Sequence, residues 1–355
     1  MRQAAGGESL PLMASTHIYG SRLGAIRDEQ FAAAVGKAGL GTFLSAAPTT
    51  SGLFGQNVFL TTTQGDYVFR GAPHWHNGGP NDAWQFPKER FYADLLHAQT
   101  PVPVAWPQML DDSCEDFPWP YLITPRLPGL CLQDPAARKG LTRQDFVQVA
   151  RAMGAALAGL QVLTWNFAGD FDPDLQALGP YPSGYAGHLA QEIINHSEAT
   201  RPNGTLSPED DQWLAMLLRA DAEAAQDPAA SFVHNDYTLG NVLFERSAEG
   251  WRVSGVIDLM TSCFGDPAAD LVRQACAWID IAPACAAAFL TAYRQAGGRA
   301  TPTRARLAAV AAYERLMIWG YFTRPDVADP RFTGLTYRAW AEPYVQRLAA
   351  LWFAG

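Results

Sequence analysis

The chain lacks any run of about 18 apolar residues that could cross a bilayer. Its opening stretch, MRQAAGGESLPLMAS, has no continuous apolar segment of the kind a secretory leader needs, so a cytoplasmic location is expected. Cysteine is scarce, with five in 355 residues: Cys114, Cys131, Cys263, Cys276 and Cys285. An odd number with no C-x-x-C pair argues against a disulfide framework or a zinc knuckle and for a reducing compartment. G-x-x-x-x-G-K-[ST] is missing, which excludes a P-loop. A paired DFG…APE segment is missing too, which disfavours a protein kinase. No internal repeat is found. Basic residues are the minority, 26 against 35 acidic, for a net charge of −9. The excess is concentrated in residues 101–290, which hold 24 acidic and 10 basic side chains. Nucleic acid is therefore a poor partner, because phosphate backbones need a basic face. The acidic middle suits a cationic ligand, or is a solvated surface that aids solubility.

What the chain does have is enough apolar material for a sizeable core, 48% hydrophobic against 17% charged, and a length that suits two lobes. After a tail, DEQFAAAVGKAGL reads as a helix. TFLSAA, QNVFLTTT and YVFR follow as strands, with Val58, Leu60 and Thr62 alternating against Asn57, Phe59 and Thr61. Gln64-Gly65-Asp66 supplies a turn, so these strands form an antiparallel meander. FPKERFYADLLHAQ reads as a helix, and VPVAWPQML and WPYLITPRL as two further strands. The expectation is an α+β lobe over residues 1–128, with five strands and one inserted helix, closed by a hinge at LPGLCLQD. Residues 129–355 turn helical. Thr142 stands three residues before Asp145 as a capping box, and Ser207 before Asp210 repeats that logic. FAGDFDPDLQALGPYPSGY, rich in Gly, Pro and Asp, reads as a loop, and several amphipathic helices follow from Asp270 onward.

The chemistry gathers in two segments. In VHNDYTLGN, Asp236 and Asn241 flank Gly240; in VSGVIDLMTSCFGDPAADL, Asp258 ends a short apolar strand. Two short strands joined through ERSAEGW would form a hairpin that brings Asp258 toward Asp236 and Asn241. Alone, Asp236 and Asn241 would pass for turn residues; Asp258 and GDPAAD in register make that reading untenable. Amide and carboxylate oxygens suit Mg²⁺, which takes a few such ligands plus substrate phosphates. Asp236 is then free to orient or deprotonate a hydroxyl. His234 can brace the loop by a hydrogen bond, and Asn235 sits where positive φ is needed. Asp266 and Asp270 are read as structural, capping the next helix or bracing the loop.

These two segments resemble the H-x-D-x-x-x-x-N and I-D…G-D-P-x-x-D-L signatures of the aminoglycoside phosphotransferase family, small-molecule kinases with a protein-kinase-like fold. The resemblance implies a bilobal α+β fold, with a small antiparallel-sheet lobe, a larger mostly helical lobe and a nucleotide between them. It makes Asp236 the catalytic aspartate, supported by His234, and makes Asn241 and Asp258 the magnesium ligands. TTSGLFGQNVF resembles the nucleotide-covering loop, which points to Ser51, Gly52, Gly55 and Asn57; its two glycines alone would be an ordinary turn. YVFR resembles the third strand, so Arg70 stands where a lysine or arginine meets ATP phosphates. KERFYADLL then supplies Glu89 as its acidic partner, unless the two are an unrelated strand arginine and helix glutamate. Backbone groups from Thr124 to Arg126 would hold the adenine, which leaves GTP open as donor because backbone contacts carry no side-chain code. Three departures stand out: Asn235 for a usual glycine, Arg70 for lysine, and Leu259 where an aromatic is common. None removes a catalytic group.

His74 and His76 in PHWHNGG have metal-compatible spacing but no acidic companion, and a lid-like loop is the better reading. For the acceptor, Trp278, Asp280, Tyr313, Glu314, Trp319 and Tyr321 offer carboxylates and aromatics that could bind an amino-sugar; their helical spacing also fits a plain core. The expectation is an ATP- and Mg²⁺-dependent O-phosphotransferase acting on a small-molecule hydroxyl, first an aminoglycoside-type antibiotic. A metabolic alcohol (amino alcohol, homoserine-like compound or sugar) is the alternative. From a different class, a catalytically inactive nucleotide-binding protein would keep the same fold.

Overall fold

The computed structural model describes residues 16–18, 23–49, 56–72, 85–224, 229–327 and 329–354. Contacts divide the chain into two compact units, residues 1–86 with 106–126 and residues 87–105 with 127–355.

The first unit opens with the pair β1 (Thr16–Ile18) and β2 (Ala25–Arg27) and helix α1 (Asp28–Lys37). Strands β3 (Phe43–Pro48), β4 (Asn57–Thr62), β5 (Gly65–Gly71), β6 (Met109–Asp111) and β7 (Tyr121–Pro125) form an antiparallel sheet in the order β3-β4-β5-β7-β6. The alternation in QNVFLTT does what period 2 requires: Val58, Leu60 and Phe69 pack with Phe31 and Val35 of α1 in one core. Asn57 and Phe59 therefore point to the other face. Register pairs Asn57 with Arg70 and Phe59 with Val68 on β5, and Arg70 with Leu122 and Val68 with Thr124 on β7. VPVAWPQML yields a strand only from Met109 onward.

Helix α2 (Gln85–Gln99) was expected in the first lobe, but from Pro87 onward it groups with the second unit. The reason is its buried face: Tyr92, Ala93 and Leu96 enter the second core, and Lys88 Nζ lies 2.7 Å from the Asp170 carboxylate. The segment after it is also tied in, through the Val256 N–H to the Pro103 carbonyl at 2.9 Å.

The rest of the second unit contains β8 (Leu130–Cys131), α3 (Arg143–Leu160), β9 (Gly169–Asp172), β10 (Ala177–Pro180), α4 (Gly184–Thr200) and α5 (Pro208–Ala224). Then come β11 (Ser231–Val233), β12 (Val242–Ser247), β13 (Gly250–Val256), β14 (Cys263–Gly265), α6 (Ala268–Ile281), α7 (Pro283–Gln295), α8 (Arg304–Phe322) and α9 (Tyr337–Phe353). Both expected caps form. The Thr142 and Asp145 side chains each take the other's N–H, and Ser207 and Asp210 do the same. Gly154 lets α3 and α7 approach closely, since a Cβ there would stand 2.3 Å from the Phe289 carbonyl oxygen.

One expectation is corrected. The segment read as a Gly/Pro/Asp loop contains the hairpin β9–β10, part of a sheet ordered β10-β9-β14-β11. Pro180 is tolerated because β10 lies at the sheet edge, where a missing donor costs nothing. Among the described residues, no helix is long and apolar enough to cross a membrane.

Candidate active site

The site is built around the turn that follows β11. Val233 ends a fully buried strand, and the chain must leave the core there while keeping its polar backbone satisfied. Asp270, in the first turn of α6 and fully buried, does this: its carboxylate accepts the N–H of His234 at 2.7 Å and of Asn235 at 2.9 Å. Asn235 takes φ of +61°, as its position suggested, and its amide donates to the Thr261 carbonyl at 2.9 Å. His234 is completely buried. Its Nε2 bonds the Ile257 carbonyl at 2.9 Å, while its Nδ1 accepts the Asp236 N–H at 3.3 Å. Grouped with the catalytic residues from sequence, His234 is placed here as a brace, with both ring nitrogens committed to backbone.

The expected hairpin forms as β12 and β13, with Val242 opposite Val256. The Ile257 N–H continues the ladder to the Asn241 carbonyl at 3.0 Å, so Asp258 is the first residue beyond it. Asp258 adopts φ of +64°, a left-handed conformation that costs an aspartate energy and marks a constrained position. Asn241 reaches the other way: Nδ2 donates to the Asp236 carbonyl at 3.0 Å and to its Oδ2 at 2.7 Å. With its nitrogen so engaged, the amide presents its oxygen as the atom that can ligate a cation. Oxygen donors from an amide and a carboxylate match a hard cation. Among the described residues no group of three or more His, Cys, Asp or Glu converges into a metal cage. Such a donor set fits Mg²⁺, which completes its shell with water and substrate phosphate.

Sequence reasoning missed Arg273. It lies one turn beyond Asp270 on α6, and Nη2 donates to Asp236 Oδ1 at 2.5 Å while Nη1 donates to Glu314 Oε2 at 2.8 Å. Burial alone would pull this guanidinium down; Glu314 and Asp236 beside it hold it above the ordinary arginine range. The available signal was the spacing in DLVR, which puts Asp270 and Arg273 on one helix face.

The acceptor candidates separate. Trp278 is fully buried in the second unit's core, with the Gln274 amide beside its indole. Trp319 is fully buried against Phe332, Tyr337 and Trp340. Neither can stack on a ligand, so both assignments are corrected: their helical spacing marked core. Glu314 is buried and committed to Arg273. Asp280 is exposed, and its Oδ1 accepts from the Tyr344 hydroxyl at 2.5 Å.

Of the nucleotide candidates, Asn57, Arg70 and Thr124 share one face of the first unit's sheet by register. Asn57 Oδ1 is buried with no hydrogen-bond partner among the described residues, an unsatisfied acceptor on that face. Arg126 is exposed and stacks over the Phe59 ring at 3.8 Å. Glu89 is buried on α2 in the second unit. Ser51, Gly52 and Gly55, like His74 and His76, lie outside the described residues.

A family model described as APH, phosphotransferase enzyme family, matches residues 45–310. The chain belongs to this family. As a member it is a phosphotransferase, and the match spans both signature segments. No curated protein sequence matches it. Among solved structures it resembles a provisionally assigned aminoglycoside phosphotransferase from Ralstonia eutropha JMP134, at 19% identity and TM-score 0.61, over 90% of this chain and 96% of that one. A thermostable aminoglycoside phosphotransferase APH(4)-Ia, in complex with AMP-PNP and hygromycin B, matches at 17% identity and TM-score 0.58, over 92% and 99%. Choline kinase LicA from Streptococcus pneumoniae matches at 14% identity and TM-score 0.55, over 91% and 98%. At these identities the likeness is one of fold: the kinase-like α+β architecture, with an antiparallel sheet first and a helical part after it.

The Asp270 brace has a measurable signature. Burial lifts its carboxyl from 3.8 to about 6, against the pull of His234 and the two N–H groups it accepts. A folded value above the unfolded one means that the stability it contributes is complete below about pH 4 and lost as pH rises through 6. The lift corresponds to roughly 3 kcal/mol. Asp270→Asn should therefore flatten the fall in urea stability between pH 4 and pH 7 relative to wild type. An unchanged pH slope in the variant would show that Asp270 does not titrate in this way.

Proposed function

We propose that the protein transfers the γ-phosphoryl group of ATP, with Mg²⁺, to a hydroxyl of a small cationic molecule, most directly an aminoglycoside-type compound. The observation that carries this reading is the Asp236 carboxylate, fixed beside Asn241 at the mouth of the β12–β13 hairpin, with Asp258 just past the ladder. Asp236 orients the acceptor hydroxyl. As the acceptor oxygen bonds the γ-phosphorus, the bond from that phosphorus to the ADP oxygen breaks, and the hydroxyl proton passes to Asp236. Asn241 and Asp258 would hold Mg²⁺, which when bound neutralises phosphate charge. The rest of the catalysis is positioning. Asn57, Arg70, Thr124 and Arg126 are the nucleotide-facing residues in this reading.

Two facts support a cationic acceptor. Residues 101–290 hold 24 acidic against 10 basic side chains. The fold is also shared with enzymes named for an aminoglycoside and for choline, which differ in size but are both charged alcohols. The second of these keeps an amino-alcohol kinase as the alternative. The test is ADP release with ATP or GTP, with and without EDTA, against kanamycin, hygromycin B, choline, homoserine and simple sugars. Turnover above the water rate with a cationic alcohol, abolished by EDTA, supports the reading, and turnover with homoserine or a neutral sugar alone moves it to metabolism. If no acceptor exceeds water and Asp236→Ala matches wild type, the enzyme is not the kinase described.

A further inference from the structure

The catalytic carboxylate is held at both oxygens. Asn241 donates to Asp236 Oδ2 at 2.7 Å, and Arg273 donates to Oδ1 at 2.5 Å. A carboxylate bonded through one oxygen still turns about its Cβ–Cγ bond; donors on both oxygens fix its plane and leave each oxygen a second lone pair. Those remaining lone pairs are what an acceptor hydroxyl can meet.

Arg273 is itself immobilised. Its Nη1 donates to Glu314 at 2.8 Å, and the Glu314 side chain on α8 is only 5% exposed. The guanidinium is planar and rigid, so a core carboxylate on one fork fixes the direction of the other. Arg273 Nε is buried with no hydrogen-bond partner among the described residues, so the orientation of the group follows from its two carboxylates. Asp270, three residues earlier on α6, holds the backbone of His234 and Asn235. One helix thus sets both the path of the catalytic loop and the attitude of its side chain.

We propose that Arg273 is a positioning residue that, with Asn241, fixes the plane of the Asp236 carboxylate, and that Glu314 is its buried anchor rather than an acceptor ligand. This rests on the reading that Asp236 meets the acceptor hydroxyl. Arg273 touches neither the acceptor nor the nucleotide in this scheme; it acts through Asp236.

The experiment compares wild type, Asp236→Asn, Arg273→Lys and the pair Arg273→Met/Glu314→Gln, using the best acceptor from the panel above. The pair is used because Arg273→Met alone would strand a buried glutamate and could unfold the chain. A misplaced catalytic group costs on the order of 10²-fold, so the pair should lower kcat about 10- to 100-fold with KM for ATP and nucleotide Kd within about twofold. Arg273→Lys should recover part of the loss. Placed on Asp236→Asn, the pair should cost little more, because no carboxylate remains to be positioned. A merely structural role predicts the opposite pattern: equal losses on both backgrounds, no recovery by lysine, and weakened nucleotide binding. Any of these, or a pair variant within about threefold of wild type in kcat, overturns the proposal. If Asp236→Asn itself turns over like wild type, the reading of Asp236 fails and the proposal goes with it. That outcome is distinct from an inactive Asp236→Asn beside an indifferent Arg273.

Discussion

Asp236→Asn is expected to lower kcat by about 10²–10⁴-fold, the range for losing a positioned general base, while nucleotide affinity stays within about threefold. The amide is nearly isosteric but can no longer take the hydroxyl proton. It also cannot satisfy its neighbours, since Arg273 and Asn241 both donate to this side chain and an amide has only one accepting oxygen. One of the two donors loses its partner, at a cost of about 1 kcal/mol. The side chain is 36% exposed, so water replaces part of that bond and the fold survives. Steady-state ADP release gives the kinetic arm, and thermal unfolding with and without nucleotide gives the structural one. Full activity in the variant would remove Asp236 from the chemistry. A collapse in stability would instead mean that the carboxylate is structural.

How much of this was legible in the chain depends on the range of the interaction involved. Local rules read well. The Thr142–Asp145 and Ser207–Asp210 caps, the β12–β13 hairpin and the positive φ at Asn235 each depend on a few neighbouring residues. The polar loop after β11 stands out in the sequence for a different reason: polar residues stand at fixed spacing in apolar surroundings, and Asp258 follows at a hairpin's length. What failed was mostly non-local. The hairpin β9–β10 is the exception: its strands pair with each other over four positions and β9 meets β14 at Gly169–Phe264, but their Gly, Pro and Asp content carries no strand propensity. Trp278 and Trp319 looked available because a helix pattern shows which residues share a face but not what covers it. Helix α2 groups from Pro87 onward with the second unit on the same account, since its buried face rather than its own pattern decides its neighbours. Arg273 went unseen because its two partners come from the loop after β11 and from α8.

The buried charges show what that long-range organisation is worth. Arg306 on α8 is 5% exposed at its side chain; its Nε donates to Asp221 of α5 at 2.8 Å, and its Nη1 donates to Asp266 at 2.9 Å. Asp266 in turn accepts the Ala268 N–H at 2.8 Å, at the start of the helix that carries Asp270 and Arg273. One guanidinium therefore ties α5 and α8 to the turn from which the Asp270 brace begins.

Arg306→Met should destabilise the protein by about 3–5 kcal/mol at pH 7, because it leaves two buried carboxylates without their cation. Methionine matches the volume of the aliphatic stem, so the loss reports charge more than packing. The pH dependence separates the two. Burial already lifts the Asp266 carboxyl above its ordinary range, against the Ala268 N–H and Arg306, which hold it down. Without Arg306 that lift is opposed less, and a carboxyl raised in the folded state favours folding at low pH and disfavours it as pH rises. The penalty should therefore be smaller at pH 5 than at pH 7. Urea denaturation at both pH values measures it, and Arg306→Met/Asp221→Asn/Asp266→Asn should regain a substantial part of the pH 7 loss, since neutral amides no longer need a counter-charge. A loss near 1 kcal/mol that is equal at both pH values would show that the triad is packed but not electrostatically strained. The Asp270 brace would then depend on α6 alone.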